Sequence, residues 1–197
     1  MSEHGHAHSA GISNRVKKLV ARIESAGIAT EAELDGIVER FLLGARKENG
    51  YRVVARAWSD PAYCERLLED GTAAVEELGI DMSHWAPVAL RVVANTPGVH
   101  NLIVCTLCSC YPIALLGPSP AWYKGEAYRA RAVRDPRGVL AEFGVTLPAS
   151  TSIVVWDSTA EARYMVLPER PAGTEGLDED GLAKLVTRNG LIGTALV

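Results

Sequence analysis

Residues 88–105, "VALRVVANTPGVHNLIVC", decide how the chain is built. Two short runs rich in β-branched residues, 88–95 and 100–105, flank the turn signal "TPG". They read as two strands joined by a turn. The second strand runs directly into Cys105 and the segment "CTLCSCY". Three of the four cysteines of the chain, Cys105, Cys108 and Cys110, therefore fall within six residues at the end of a strand.

Outward from that point, the N-terminal side is helical. Val16, Leu19 and Ile23 recur at helical spacing, with Gly27 placed to cap the segment. Thr30 and Glu33 form the spacing of a capping box. Leu34, Ile37, Phe41 and Leu42 then line one face, and Gly44 or Gly50 ends the helix. Residues 13–48 are thus expected to form a helical arm whose apolar stripes need a partner surface. Residues 1–12, with His4, His6 and His8, read as a disordered tail with a weak capacity for transition metals. The segment "SDPAYCERLLEDGTAAVEELG" predicts a third helix, in which Cys64 serves as a small apolar residue.

Beyond the cysteines, "YPIALLGPSP" is a proline-constrained loop. Helical segments follow in "PAWYKGEAYRARAV" and "DPRGVLAEFG", strands in "TSIVVWD" and "ARYMVLP", and a C-terminal helix in "LDEDGLAKLVTRN". This order predicts an α/β (α+β) body over residues 49–197.

Composition narrows the function classes. The chain has 197 residues, 48% hydrophobic and 22% charged, a formal net charge of −4 and a pI near 5.8. Such a chain can bury a sizeable core without covalent staples. No basic run points to nucleic acid, and no apolar run is long enough for a membrane span. "MSEHGHAHSAG" lacks the pattern of a secretory signal, so a cytoplasmic, reducing setting is expected. There, clustered cysteines are more often metal ligands or redox groups than disulfides.

Four chemistries compete for C-x-x-C-x-C. Structural zinc wants a fourth ligand, and His100 stands awkwardly at the far end of the same strand. An iron–sulfur cluster would have to recruit Cys64. A Cys105–Cys108 redox pair normally opens a helix, whereas here Tyr111-Pro112 follows. The fourth reading uses Ser109. If Cys108 and Cys110 bind one metal, the peptide between them is pinned against it, and deprotonated backbone nitrogens become ligands to a highly charged ion.

The residues "VCTLCSCYP", with "LG", "AWYK", "DPRGVL", "VWDS" and "LPERPAGT", closely resemble the α subunit of nitrile hydratase over nearly the whole chain. The thiocyanate hydrolase catalytic subunit shares the core motif. Threonine at position 106 resembles the cobalt-type version rather than the iron-type. The resemblance implies an N-terminal helical arm and a layered α/β/β/α body with mixed sheets. It implies a non-corrin Co(III) held by the sulfurs of Cys105, Cys108 and Cys110 and the backbone nitrogens of Ser109 and Cys110. Cys108 is then expected as a sulfinic acid and Cys110 as a sulfenic acid, with Cys105 a thiolate. Thiolate, sulfinate, sulfenate and two amidates total roughly −5 against +3, leaving about a dianion that needs cations around it. The family supplies these from arginines of a β subunit, whose role is in some members split between two chains. Arg163, in "EARY", matches a family arginine near the site.

The activity implied is hydration of a small-molecule nitrile to an amide, by the sulfenate of Cys110, by water or by metal-bound hydroxide. Loading by a cobalt-delivering activator is also implied. The alternatives are a thiocyanate hydrolase-type subunit and a non-catalytic metal-binding protein. One departure stands out. Many cobalt-type members have tryptophan after the Tyr-Pro that follows the cluster, and this chain has Ile113. Beside Tyr111, that change is expected to widen the substrate pocket toward bulky heteroaromatic or nucleoside nitriles such as toyocamycin.

Overall fold

The computed structural model describes residues 3–82, 88–107 and 110–197. The chain divides into two compact units, Met1–Leu43 and Gly44–Val197.

The first unit holds α1 (Glu3–Ser25) and α2 (Glu31–Gly44), the latter ending one residue past the boundary. The first turns of α1 lie in the stretch that composition reads as a tail. Ile28 N–H bonds back to Ile23 C=O and Gly27 N–H to Glu24 C=O, closing α1 where Gly27 was expected to cap it. The capping box is reciprocal: Thr30 N–H donates to Glu33 Oε2 at 2.7 Å, and Glu33 N–H to Thr30 Oγ1 at 3.2 Å. The Thr30 backbone bond, with its hydroxyl, holds the Glu33 carboxyl below its ordinary pKa. Val16, Leu19, Ile37 and Phe41 remain exposed on these helices.

The second unit is the α/β body. It opens with α3 (Lys47–Ser59), a helix the sequence reading did not anticipate because Gly50 looked like a stop signal. Gly50 instead allows close packing: a Cβ there would lie 2.6 Å from Leu115 O, on α6 (Ile113–Leu116). The expected third helix is two, α4 (Pro61–Glu69) and α5 (Gly71–Glu76). Asp70 ends one and caps the next by accepting from Ala73 N–H.

The strands β1 (Ala89–Ala94) and β2 (Val99–Val104) do not form a hairpin. β1 pairs in parallel with β4 (Ala162–Leu167), and β2 in parallel with β3 (Ser152–Asp157). The short connections after β1 and after β3 each carry the chain from one sheet to the other. The reason is burial. β2 hides every residue from His100 to Val104, so it needs cover on both faces, which a two-stranded hairpin cannot provide. Helices α4 and α5 cover β1, β2 faces β4, and α8 (Glu126–Arg134) and α9 (Pro136–Glu142) cover β2 and β3. The layers run helix, sheet, sheet, helix, and both sheets are parallel pairs. Gly125 separates α7 (Ala121–Lys124) from α8. The C-terminal helix is also two, α10 (Glu179–Ala183) and α11 (Arg188–Ile192), capped by Asp178 and Thr187.

Three arginine- or asparagine-based anchors tie the loops to this frame. Arg137 donates to the carbonyls of Leu147, Pro148 and Thr151, fixing the approach to β3. Arg170 bonds Thr174 and the Trp58 carbonyl, holding the "LPERPAGT" segment on α3. Asn101 bonds Asn95 and Ala94 and accepts from Trp156 Nε1 at 2.8 Å, joining the start of β2 to β3.

Candidate metal centre

Parallel pairing places the cysteine loop. Val104, the last residue of β2, is in register with Asp157, the last of β3. Both strands therefore end together, and ligand sites in α/β folds gather at such carboxyl ends. Cys105 is 1% exposed, directly beyond the buried strand. Asp157 reaches across to the next residue. Its carboxylate accepts from Thr106 N–H at 2.9 Å and from Thr106 Oγ1–H at 2.5 Å. A charged acceptor with two donors is the strong kind of hydrogen-bonded clamp. Sequence reasoning quoted "VWDS" but gave Asp157 no role. The available signal was an aspartate closing an otherwise apolar strand.

The other end of the loop is held by an aromatic cluster. Tyr123 O–H donates to the Cys110 carbonyl at 2.9 Å. The rings of Tyr111 and Tyr123 meet edge to face at 5.0 Å, and Trp122 stacks similarly on Tyr128 and Phe143. Tyr128 O–H donates to Ile103 C=O at 2.6 Å, tying α8 to β2. Burial pushes the phenols of Tyr111, Tyr123 and Tyr128 well above their ordinary pKa. At Tyr123, burial is reinforced by smaller charge effects from Cys105, Tyr111 and Cys110. The neighbouring Ser158 hydroxyl pulls the Tyr123 phenol the other way.

The predicted site residues are distributed as follows. Cys105 is buried directly beyond β2, and Cys110 is half-buried with its carbonyl bonded by Tyr123. Cys108 and Ser109 lie outside the described residues. Tyr111 is buried, its hydroxyl without a hydrogen-bond partner among the described residues. Ile113 opens α6 half-buried against the core. Arg163 sits at the β3–β4 turn, where its guanidinium donates to the carbonyls of Thr159, Ala160 and Ala162.

Competing ligand sets are disfavoured by placement. His100 is buried, with Nε2 2.7 Å from the Gly193 carbonyl and Nδ1 facing Asn95, so it serves the opposite end of β2. Cys64 sits on α4, where burial raises its thiol pKa. The donor chemistry fits a soft or borderline transition metal, because buried sulfur is offered on a loop clamped at both ends. Two buried hydroxyls, on Tyr111 and Ser158, have no hydrogen-bond partner among the described residues. Leu107, between the clamp and the second cysteine, is 90% exposed.

Comparison with known proteins identifies the family. The family model "Nitrile hydratase, alpha chain" matches residues 10–195. The low-molecular-weight cobalt-containing nitrile hydratase subunit alpha of Rhodococcus rhodochrous is 49% identical over 185 residues, 94% of this chain and 88% of the relative. The thiocyanate hydrolase subunit gamma of Thiobacillus thioparus is 47% identical over 154 residues, 74% of this chain and 63% of that subunit. Among solved structures, a double mutant of the Fe-type nitrile hydratase of Comamonas testosteroni Ni1 superposes with a TM-score of 0.88 at 41% identity. That match covers 95% of this chain and 90% of the other. With a family match spanning nearly its whole length and the cysteine loop clamped at the ends of two parallel strands, this chain belongs to the nitrile hydratase α-chain family.

Proposed function

We propose that this chain is the catalytic α subunit of a cobalt nitrile hydratase. The metal would be held by the sulfurs of Cys105, Cys108 and Cys110, of which Cys105 stays a thiolate, and by the backbone nitrogens of Ser109 and Cys110. The observation that carries the reading is the double clamp, Asp157 on Thr106 and Tyr123 on Cys110, around a loop that begins at buried Cys105. The cobalt-containing relatives support the choice of metal. Bound there, trivalent cobalt would supply Lewis acidity toward the nitrile.

The remaining work belongs to the chain. Asp157 holds the Thr106 amide and hydroxyl, so the loop is preorganised before metal arrives. Tyr123 fixes the Cys110 carbonyl and so anchors the loop where it leaves the cluster. The aromatic cluster behind the loop keeps water from its inner face. Cys108 as sulfinate and Cys110 as sulfenate bring acceptor oxygens to the substrate side. Tyr111 and Ile113 form a pocket wall for a bulky nitrile, and Arg163 adds positive charge nearby. A β-type chain, or two chains sharing its role, supplies further arginines, and an activator loads the cobalt in the cytoplasm.

The test is the co-expressed complex. Metal analysis, peptide mass spectrometry and amide formation from a nitrile should give one cobalt per chain, added oxygens on Cys108 and Cys110, and turnover. Zinc in place of cobalt, with unoxidised cysteines and no amide, would overturn the reading and leave a non-catalytic metal-binding protein. The likeness to a thiocyanate hydrolase subunit supports a second reading. Thiocyanate consumption exceeding nitrile turnover in the same preparation would select it.

A further inference from the structure

The outer face of α8 has a feature that the metal site does not use. Tyr128 and Ala132 point inward and are buried. Glu126, Arg129, Ala130, Val133 and Arg134, at helical spacing on the other side, line a cleft together with Thr106 of the cysteine loop. The cleft measures about 330 Å³. Val133 is 52% exposed at this face. Arg129 is half-buried, and its Nε is buried with no hydrogen-bond partner among the described residues. Arg131, on the same helix, differs. It already bonds Glu142 and Asp135.

A guanidinium Nε–H taken out of water without an acceptor is an unfinished contact. The acceptor that completes a guanidinium best is a carboxylate, which engages Nε and an Nη at once. Glu126 is the acid of this cleft, and no hydrogen bond joins it to Arg129 among the described residues. With Arg129 and Arg134 both present, the cleft carries an excess of positive charge. An apolar valine beside a desolvated arginine is also the composition of an interface core rather than of an ordinary wet surface.

We infer that the outer face of α8 is a docking surface for an acidic side chain of the β-type partner chain, with Arg129 as its anchor. The surface borders Thr106, so docking there closes over the edge of the cysteine loop. This rests on the partner invoked under the proposed function. It goes beyond that reading in naming the surface, the anchor and the partner's chemistry.

The experiment measures association of the full chain with its purified β-type chain by analytical ultracentrifugation at low and moderate salt. R129Q should weaken association at least tenfold and flatten its salt dependence, because a desolvated charge pair is lost. Arg129→Lys should recover part of the affinity, since charge returns without the planar fork. R131Q should leave association unchanged. Equal affinity and salt dependence in R129Q and the unaltered chain would overturn the inference. So would acetate binding to the isolated chain that needs Arg129 while partner association does not. A cobalt-loaded, nitrile-hydrating complex indifferent to R129Q removes this surface and keeps the proposed function. An R129Q-sensitive complex with neither cobalt nor nitrile turnover does the reverse.

Discussion

Asp157 and Thr106 are 51 positions apart in the chain, yet two hydrogen bonds join them at the entrance to the cysteine loop. We expect Asp157→Asn to keep the side-chain volume while weakening both bonds, because the charge is lost. Cobalt content and nitrile turnover of the complex should fall at least tenfold, while stability drops by about 1–2 kcal/mol, measured by metal analysis, kinetics and urea melts. Tyr123→Phe removes the bond to Cys110 C=O and should cost about 1 kcal/mol, with partial loss of cobalt. Ile113→Trp supplies the aromatic wall that the family resemblance leads one to expect at this position. It should shift preference from bulky aromatic nitriles toward acrylonitrile, read from comparative kcat/KM; better use of acrylonitrile by the unaltered chain would contradict the widened pocket. At this scale the cysteine cluster was legible as a cluster, since residue type and spacing are local. Asp157 was not, because only strand register brings it to Thr106.

At the scale of elements, the break between α1 and α2 was readable at Gly27 and Thr30, and the strand partners were not. Asp60, Asp70, Asp135 and Asp178 each cap a helix by accepting from a backbone N–H three residues on. That is a local interaction, yet Asp70 divides a stretch that reads as one helix. Asp70→Ala should accordingly cost about 1 kcal/mol, seen as a lower urea midpoint with an unchanged slope. The turn "TPG" was equally plain, but a turn does not say which strands it leaves paired. β1 and β2 separate into different sheets because β2 must be covered on both faces. The join between α11 and β2 is equally non-local. Gly193 has φ of +90°, and a Cβ there would lie 2.0 Å from Asn101 O. Gly193→Ala should therefore destabilise the fold by about 3 kcal/mol or more, by strain and backbone overlap together. A melt unchanged from that of the unaltered chain would contradict the close approach of α11 to β2.

Over the whole molecule, the buried phenols give stability a pH dependence. Tyr63 is pushed up to about 12, chiefly by burial and then by Glu77, and Tyr111, Tyr123 and Tyr128 are pushed up as well. In the unfolded chain a phenol ionises near pH 10. Between that pH and the raised values the folded state binds more protons than the unfolded state, so stability falls as pH rises. Below about pH 10 these groups contribute no slope. Denaturant melts should lose stability from about pH 10 upward, and tyrosinate absorbance should appear together with unfolding. Early titration of all six tyrosines without unfolding would contradict the buried aromatic cluster.

The sequence by itself determined the class of the chain, the capped break between its first two helices, and the presence of a tight sulfur cluster at a strand's end. Each of these rests on contacts between residues a few positions apart. Only the tertiary structure decided that α3 continues through Gly50, that the strands pair in parallel across two sheets, and that Asp157 and Tyr123 clamp the cysteine loop from opposite ends. It also turned Arg163 toward its own turn and left Arg129 beside that loop. These outcomes depend on what must be buried on both faces and on which distant atoms then meet. Spacing along the chain carries no record of either.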